Sequence, residues 1–222
     1  MGLVEYFGPI LFHPVFYYFP NIYGYGPFTH TQTQEFAFWM VIIHFAKREY
    51  ECLFVHKSSK GSMPIFSASK SLLHYWGTAG IFLPYFLYAP ASSYSNSRYF
   101  FHVNDLPGWL NYTLFAIWAF AELSNLKAHR ILADIRSNGD NKKYAIPFGY
   151  GFDWVSCPHY LFESLGWFTF SLLVGHWSAW FFFITGTGQM VIWAVQKHNW
   201  YLQKFGDDYK KLKRKIYVPY VL

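Results

Sequence analysis

Apolar residues recur along the whole chain in runs that are separated by short polar segments. Six runs stand out, at residues 7–24, 36–46, 72–90, 109–126, 154–175 and 177–195. A helix needs about 20 mostly apolar residues to cross a bilayer, and the third, fourth and sixth runs approach that length. The pattern therefore predicts an all-α, polytopic membrane protein with six spans, five or seven being the alternatives, in a single domain over residues 1–222.

The first two runs are less regular than the others. Pro9, Pro14 and Pro20 interrupt the first run, and proline inside a helix removes a hydrogen bond and kinks or breaks it. The second run is short, but apolar residues resume at 53–55 after a charged stretch. We expect the first span to be kinked or split, and the second to continue beyond residue 46.

Charge placement supports the six-span prediction. When the chain crosses the bilayer at each run, seventeen of the 18 Lys and Arg residues fall on one side, and Arg98 alone falls on the other. Such a bias is typical of the positive-inside rule, and shifting the count by one span destroys it. It places the basic loops and the basic tail in the cytosol, or in the matrix if the membrane is mitochondrial. The ASSYSNS segment at residues 91–97 lies on the opposite side.

Composition agrees with a membrane environment. Charged residues make up 14% of the chain and aromatic residues 24%, against about 25% charged residues in an ordinary soluble domain. Mean hydropathy is only +0.09, because Tyr, Trp and His count as polar although their bodies are apolar. An aromatic-rich soluble domain is the alternative. The first residues have no basic leader or cleavage site, so we expect no removable signal peptide, and the two cysteines suggest no disulfide.

Polar residues beside or inside apolar runs are the candidates for chemistry, because ionisable groups at membrane depth are costly. Four stretches qualify: HFAKREYECLFVHK with His44, Lys47, Arg48, Glu51 and His56; NLKAHRILADIR with Asn125, His129 and Arg136; DWVSCPHYLFES with His159, Tyr160 and Glu163; and QKHNWYLQKF with Lys197, His198 and Tyr201. Within the first and second stretches the spacings of three, four and seven residues place the polar side chains on one helical face.

Simpler interpretations remain open for each stretch. The first stretch could be a solvated, salt-bridged helix end, Tyr160 could be an interfacial anchor, and the tail could lie on anionic headgroups. If the four stretches meet, they form a polar cavity suited to an anionic cofactor, since Arg binds phosphate bidentately and Tyr can donate a proton. Histidine spacing fits neither di-iron boxes nor a zinc motif, so we predict no metal. Stacking platforms for nucleic acid are lacking.

These stretches, in this order, resemble the very-long-chain trans-2-enoyl-CoA reductases, a branch of the steroid 5α-reductase family. The resemblance runs over nearly the whole chain, from VEYFGPILF through HFAKREYECLFVHKSSKGSMP, HYWG, WVSCPHYLFESLGW and QMVIWAVQKHNWYLQKF to VPYVL. It implies a bundle of about six or seven transmembrane helices whose NADPH pocket opens to the cytosolic or matrix face. The ubiquitin-like N-terminal domain of many family members is not seen in this sequence.

The resemblance implies reduction of the 2,3-double bond of an acyl-CoA in the last step of fatty-acid elongation. By position, Tyr160 matches the proton donor, Lys47 the lysine paired with it, and Glu5 a glutamate near the substrate carbonyl. The cofactor-binding positions that match or flank the family motifs are Asn125, His129, Arg136, His159, His198, Tyr201 and Arg214. Implied partners are membrane lipids, the acyl-CoA and other elongation enzymes in the endoplasmic reticulum.

Three positions depart from the family pattern. Ala133 and Asn199 stand where the family has arginine, and His159 stands where it has asparagine. Each lost guanidinium could remove about 1.5–3 kcal/mol of charged hydrogen bonding. These changes leave open a second reading, a catalytically silent reductase-fold subunit of a large assembly such as a mitochondrial inner-membrane respiratory complex. A steroid or polyprenol reductase is a third.

Overall fold

The computed structural model describes residues 2–24, 26–56, 65–90, 100–137 and 145–221. Those residues form an all-helical fold, with one isolated parallel bridge between Val155 and Lys215. The helices are α1 Gly2–Tyr18, a 3₁₀ turn Pro20–Tyr23, α2 Gln32–Tyr50, a π-helical turn Glu51–Val55, α3 Ile65–Leu72, a π-helical segment Leu73–Phe82, α4 Leu83–Leu87, α5 Gly108–Ser137, α6 Pro158–Val174, α7 Trp177–Phe205 and α8 Asp207–Lys210.

Six long helical rods correspond one to one with the six apolar runs. Two rods are composite: α2 continues into its π-helical turn, and α3, the π-helical segment and α4 join end to end. The expected continuation of the second run is thus confirmed. In the described part of the chain, one helix, Trp177–Phe205, is long and apolar enough to cross a membrane by length and composition. The described residues thus form six helical rods in this order, and six membrane spans stay a prediction.

The expected split of the first run is confirmed at Pro20, where a 3₁₀ turn begins after α1 has ended at Tyr18, whereas α1 passes both Pro9 and Pro14 without interruption. Close packing against the third rod accompanies this continuity. A Cβ atom added to Gly8 would lie 2.8 Å from the Trp76 ring, so the two rods touch where glycine leaves room. Proline costs the helix one hydrogen bond at each position, and Pro20 instead begins the 3₁₀ turn.

Buried amide side chains join the helix ends. Thr31 and Gln34 form a capping box at the start of α2, and the Gln34 Nε2 also donates to the carbonyls of Leu87 and Ala89, each at 2.9 Å. Asn104 donates to two carbonyls near the end of α6, at 3.2 Å each. Since buried amides without partners are costly, these contacts fix where neighbouring rods begin and end.

The apolar core lies between α1, α2, α4, α5, α6 and the start of α7, around residues such as Phe45, Trp118 and Phe170. The polar stretches gather elsewhere, at the first turns of α1, α3 and α6 and the last turns of α2, α5 and α7. In an up-and-down bundle these ends coincide. One end of the bundle therefore carries nearly all of the candidate chemistry.

The C-terminal tail folds back onto that same end. Lys215 pairs with Val155, and the Tyr217 hydroxyl bonds to Ser164 and donates to the Tyr160 carbonyl at 3.0 Å. Tyr209, Arg214 and Tyr217 are 2%, 6% and 3% exposed. The tail therefore packs on the protein through these three side chains rather than lying free as a surface helix, and contact of its exposed lysines with lipid headgroups stays a prediction.

Candidate functional site

A cavity of about 1000 Å³ opens at the polar end of the bundle. Every long rod contributes to its wall. The lining side chains that can donate, accept or carry charge include Glu5, Tyr6, His44, Arg48, His56, Lys70, His74, Tyr75, Asn125, His129, Arg136, His159, Tyr160, Glu163 and Gln189. The remaining wall is apolar and aromatic, with Trp167, Phe182, Met190 and Trp193 among its members.

Arg48 connects several polar side chains of the cavity wall. Its Nη1 donates to Glu51 Oε2 at 2.9 Å, and its Nη2 donates to the Tyr6 hydroxyl at 2.7 Å. The guanidinium carbon also lies 4.9 Å from the centre of the Tyr6 ring. Glu51 is fully buried and its other oxygen bonds to His129 at 2.9 Å. The solvated helix-end interpretation of this stretch is therefore wrong, and its shared helical face is confirmed.

Glu122 organises a second group behind the cavity wall. Its two oxygens meet His44 Nδ1 at 2.9 Å and Lys47 Nζ at 2.7 Å. Lys47 also donates to Asn125 Oδ1 at 2.6 Å, and the Asn125 amide donates to the His159 carbonyl at 2.9 Å. This chain of contacts links α2, α5 and α6 and fixes the Asn125 side chain in the cavity wall.

The three predicted catalytic residues occupy different places. Tyr160 and Glu5 both line the cavity, and one carboxylate oxygen of Glu5 is buried with no hydrogen-bond partner among the described residues. Lys47 is absent from the lining; its hydrogen-bond partners in the described part of the chain are Glu122 and Asn125. The structure thus brings Tyr160 and Glu5 to one cavity but does not pair Lys47 with Tyr160.

Four of the seven predicted cofactor residues line the same cavity, namely Asn125, His129, Arg136 and His159. The single face predicted for the first three is confirmed, since they lie along the last turns of α5. Ala133 lies among them, so an arginine at this position would project into the cavity. His159 presents an Nδ1 atom with no partner among the described residues.

Imidazoles cluster at the cavity mouth. The rings of His56 and His129 are 5.0 Å apart, and those of His129 and His159 are 5.5 Å apart. One ligand atom from each of Glu51, His56 and His129 lies within 4.8 Å of the others. Burial, followed by the nearby Arg48 guanidinium, lowers the pKa of His56. In this arrangement the negative charge of Glu51 is balanced by the Arg48 guanidinium.

The other three predicted cofactor residues form a separate cluster beneath the tail. Ser156 Oγ bonds to His198 Nδ1 at 2.6 Å and to the Tyr209 hydroxyl at 2.7 Å, and the Tyr201 ring stacks on Tyr209 at 5.1 Å. Arg214 lies over the Phe148 ring at 4.7 Å. The cluster adjoins the cavity residue Arg136, whose charge acts on Tyr201.

Arg214 is the least satisfied charge in the described part of the chain. It is 6% exposed, yet none of its three guanidinium nitrogens has a well-aligned hydrogen-bond partner among the described residues. Burial lowers its pKa, and interaction with Tyr209 opposes that shift. Because a buried guanidinium with too few acceptors is costly, Arg214 stays a candidate for binding an anion.

Sequence reasoning missed Tyr6 and Glu122. Glu122 was detectable as a carboxylate inside the fourth apolar run, the same signal that singled out Glu163. Tyr6 carried no signal of its own, because its role depends on Arg48 from another helix. The basic residues Lys57, Lys60, Arg98, Lys142 and Lys143, and the segment 91–97, lie outside the described residues.

Known proteins resemble this chain over most of its length. Residues 61–222 match the family described as 3-oxo-5-alpha-steroid 4-dehydrogenase. A protein assigned as an enoyl reductase in Schizosaccharomyces pombe is 43% identical over 99% of this chain and 70% of its own length. The very-long-chain enoyl-CoA reductase of Dictyostelium discoideum is 36% identical over 99% and 69%. The steroid 5-alpha-reductase of Solanum lycopersicum is 32% identical over 60% and 52%.

Proposed function

Because the chain belongs to the 3-oxo-5-alpha-steroid 4-dehydrogenase family, we propose that it reduces the 2,3-double bond of a trans-2-enoyl-CoA with NADPH. The observation that carries this proposal is the cavity itself. Its wall includes the hydroxyl donors Tyr6 and Tyr160, the Arg48 guanidinium that is fixed to Tyr6, and several aromatic rings. Reduction of a conjugated thioester needs such donors where charge develops, together with an apolar surface for the acyl chain.

The enoyl-CoA relatives favour an acyl-CoA substrate over a steroid. The relatives that this chain matches over 99% of its length are named enoyl reductases, whereas the steroid reductase match covers 60% of the chain. The names of those relatives give no support to the silent-subunit alternative. The third hypothesis, a steroid or polyprenol reductase, has weaker support, because the steroid reductase match covers less of the chain.

The residues present fit an anionic dinucleotide. Arg214 offers three buried guanidinium nitrogens that lack a well-aligned hydrogen-bond partner among the described residues, with Tyr209 as a neighbour, and the charge of the cavity residue Arg136 acts on Tyr201 of the same cluster. Arg pairs with phosphate oxygens in a planar, two-bond geometry. We assign Arg136, Tyr201, His198 and Arg214 to the phosphate-bearing half of NADPH, and Asn125, His129 and His159 to the half inside the cavity. NADPH, when bound, supplies the hydride.

The remaining roles follow from position in the wall. Tyr160 delivers the proton to the α-carbon, since it lines the cavity and a tyrosine hydroxyl can act as a general acid. Lys47 acts through Asn125, which it holds at 2.6 Å, and it is a positioning residue rather than a partner of Tyr160. Glu5, with its unpartnered buried oxygen, faces the substrate from the start of α1.

The setting is an integral membrane enzyme of fatty-acid elongation in the endoplasmic reticulum. Support comes from the apolar α7 and from the very-long-chain substrate in the name of the Dictyostelium relative. An acyl chain of that length is insoluble in water, so delivery from a bilayer is the simplest route. The one-sided basic loops favour a cavity mouth on the cytosolic side.

Fluorescence titration of detergent-purified protein with NADPH tests the cofactor half of the proposal. We expect micromolar binding that weakens about tenfold or more in Arg214→Met, because a charge-assisted hydrogen bond contributes about 1.5–3 kcal/mol. The matched control is Lys211→Met, which removes an exposed cation from the same tail. Absence of binding at millimolar NADPH, or equal affinities in both variants, contradicts this part of the proposal.

Consumption of NADPH with trans-2-hexadecenoyl-CoA tests the substrate half. We expect turnover that depends on the enoyl-CoA and gives the saturated acyl-CoA by mass spectrometry. Tyr160→Phe should lower kcat by about 10²–10⁴-fold, the usual contribution of a positioned proton donor. Turnover that is unchanged in Tyr160→Phe would remove Tyr160 from the mechanism, and no product from wild-type protein would reject the reductase.

A further inference from the structure

Tyr6 is a buried hydroxyl of the cavity wall to which neither the sequence nor the resemblance assigns a role. It is 8% exposed and lies directly after Glu5 on the first turns of α1. Arg48 Nη2 donates to its oxygen at 2.7 Å. The Tyr75 ring packs edge-on against it at 4.9 Å. The ring is therefore held on both sides, and its hydroxyl is held by a cation.

The direction of that hydrogen bond determines what Tyr6 can do. A guanidinium has only donors, so the Tyr6 oxygen is the acceptor and its own proton remains to be donated elsewhere. A hydroxyl that accepts from a cation is polarised, which strengthens the hydrogen bond that it donates in turn. Arg48 is itself fixed by Glu51 at 2.9 Å. Donor and cation are thus preorganised before any ligand enters.

The Tyr75 hydroxyl also donates to the Tyr6 oxygen, so the Tyr6 proton is used by neither neighbour. We propose that Tyr6, polarised by Arg48, is the hydrogen-bond donor to the thioester oxygen of the bound enoyl-CoA. This inference rests on the proposed function and adds a catalytic residue to it. As the β-carbon gains a hydride, the electrons of the double bond move toward the thioester oxygen, where negative charge develops. Tyr6 donates a hydrogen bond to that oxygen and keeps its proton. The charge returns to the α-carbon when that carbon accepts a proton, and the carbonyl reforms.

Tyr6 and Tyr160 then have different roles in the same cavity. Tyr160 has no contact with Arg48 comparable to the 2.7 Å bond of Tyr6 in the described structure, so it is free to release its proton to carbon. Tyr6 accepts a hydrogen bond from the Arg48 guanidinium and donates one to the thioester oxygen. Fixed donors aimed at developing charge contribute more than donors that must reorient. Arg48 adds positive charge beside the same oxygen.

The absorbance of a bound 2,4-hexadecadienoyl-CoA, measured without cofactor, tests this assignment. Polarisation of its carbonyl shifts the conjugated absorption band to longer wavelength. We expect wild-type protein to produce a red shift, Tyr6→Phe to lose most of it while Kd changes less than about threefold, and Arg48→Lys to lose part of it. In turnover, Tyr6→Phe should lower kcat by about 10²–10³-fold with little change in KM, the usual cost of one oxyanion donor.

Tyr88→Phe is the matched control. Tyr88 is likewise buried and its hydroxyl bonds to His13 at 2.6 Å, but it lies outside the cavity lining. This variant should keep the full red shift. A full shift in Tyr6→Phe, or no shift when the wild-type protein binds the dienoyl-CoA, overturns the role of Tyr6 and leaves the reductase proposal standing. Failure of the wild-type protein to bind the dienoyl-CoA overturns both.

Discussion

At the scale of single residues, the buried carboxylate of Glu122 is matched to specific partners. Glu122 is 7% exposed, and it meets both His44 and Lys47 within 2.9 Å. A buried ion pair contributes little net stability, but removing one partner leaves the other charge uncompensated. Removing the Glu122 carboxylate should therefore destabilise the fold more than the net contribution of the ion pairs suggests.

Replacing Glu122 with alanine should destabilise the protein by about 3–5 kcal/mol, because Lys47 then has no carboxylate in a buried site. Glu122→Gln should cost less, since the amide still accepts a hydrogen bond. The measurement is the free energy of unfolding in mixed micelles titrated with sodium dodecyl sulfate. The control is Asp207→Asn, which removes the exposed ion pair between Asp207 and Lys210 (3.6 Å). Its free energy of unfolding should resemble that of wild type. Equal effects of the buried and exposed substitutions would contradict the prediction.

The lowered pKa of His56 predicts how the free energy of unfolding depends on pH. Burial lowers its pKa in the folded protein, so the unfolded chain binds a proton first as the pH falls through the ordinary histidine pKa of about 6.5. Stability is then full above that pH and decreases below it, by about 1.4 kcal/mol for each unit of pKa difference.

Thermal unfolding between pH 7.5 and pH 5.5 measures this effect. Wild-type protein should lose melting temperature as the solution becomes acidic, and His56→Gln should lose less. Identical slopes for the two proteins would mean that His56 titrates normally in the folded state.

At the scale of elements, the C-terminal tail covers the first turn of α6. Cys157 precedes that turn, is fully buried, and packs with Met190, Ala194 and Tyr217. Burial raises the pKa of the Cys157 thiol to about 12. A thiol that is buried and protonated reacts slowly, so its reactivity reports whether the tail is in place.

Maleimide labelling at pH 8 in a Cys52→Ser background gives the test. Tyr217→Ala removes the side chain that bonds to Ser164 and to the Tyr160 carbonyl, and it should accelerate labelling of Cys157 by about tenfold or more. Tyr220→Ala, at a position that is 88% exposed, should have no effect. Fast labelling of the parent protein would show that the tail does not protect this turn.

The elements were predictable where apolar runs are long, and the site was predictable only in part. The six runs give the six rods because burial of such runs dominates folding. The length of α5 was underestimated, since its last turns carry polar cavity residues such as His129 and Arg136 rather than apolar ones. Pairings between rods were not predictable: Lys47 meets Glu122, not Tyr160, because neighbouring helices set its partners.

At the scale of the whole molecule, the candidate chemistry occupies one end of the bundle. The cavity, the Glu122 group and the Arg214 cluster all lie where α2, α5 and α7 end. The opposite end is held by amides such as Gln34 and Asn104, which bond to helix-end carbonyls. The distribution agrees with a cavity mouth on the side of the basic loops.

Site-directed labelling in sealed microsomes tests this orientation. In a Cys52→Ser background, a membrane-impermeant maleimide should label Asp207→Cys from the cytosol. It should label Asp105→Cys, which is exposed between α4 and α5, only after the membrane is permeabilised. Labelling of both positions in sealed vesicles would contradict the six-span topology.

The π-helical segment Leu73–Phe82 also bears on how this family can change length. A π-helix bonds each N–H to a carbonyl five residues back, so the segment already accommodates extra residues within an otherwise α-helical rod. Deleting one residue there would allow an ordinary α-helix to form with His74 and Tyr75 close to their present orientation, whereas a deletion in a regular α-helix rotates the residues beyond it by about 100°. Lineages of this protein should therefore tolerate the loss of one residue between 73 and 82 better than a loss within α5 or α7.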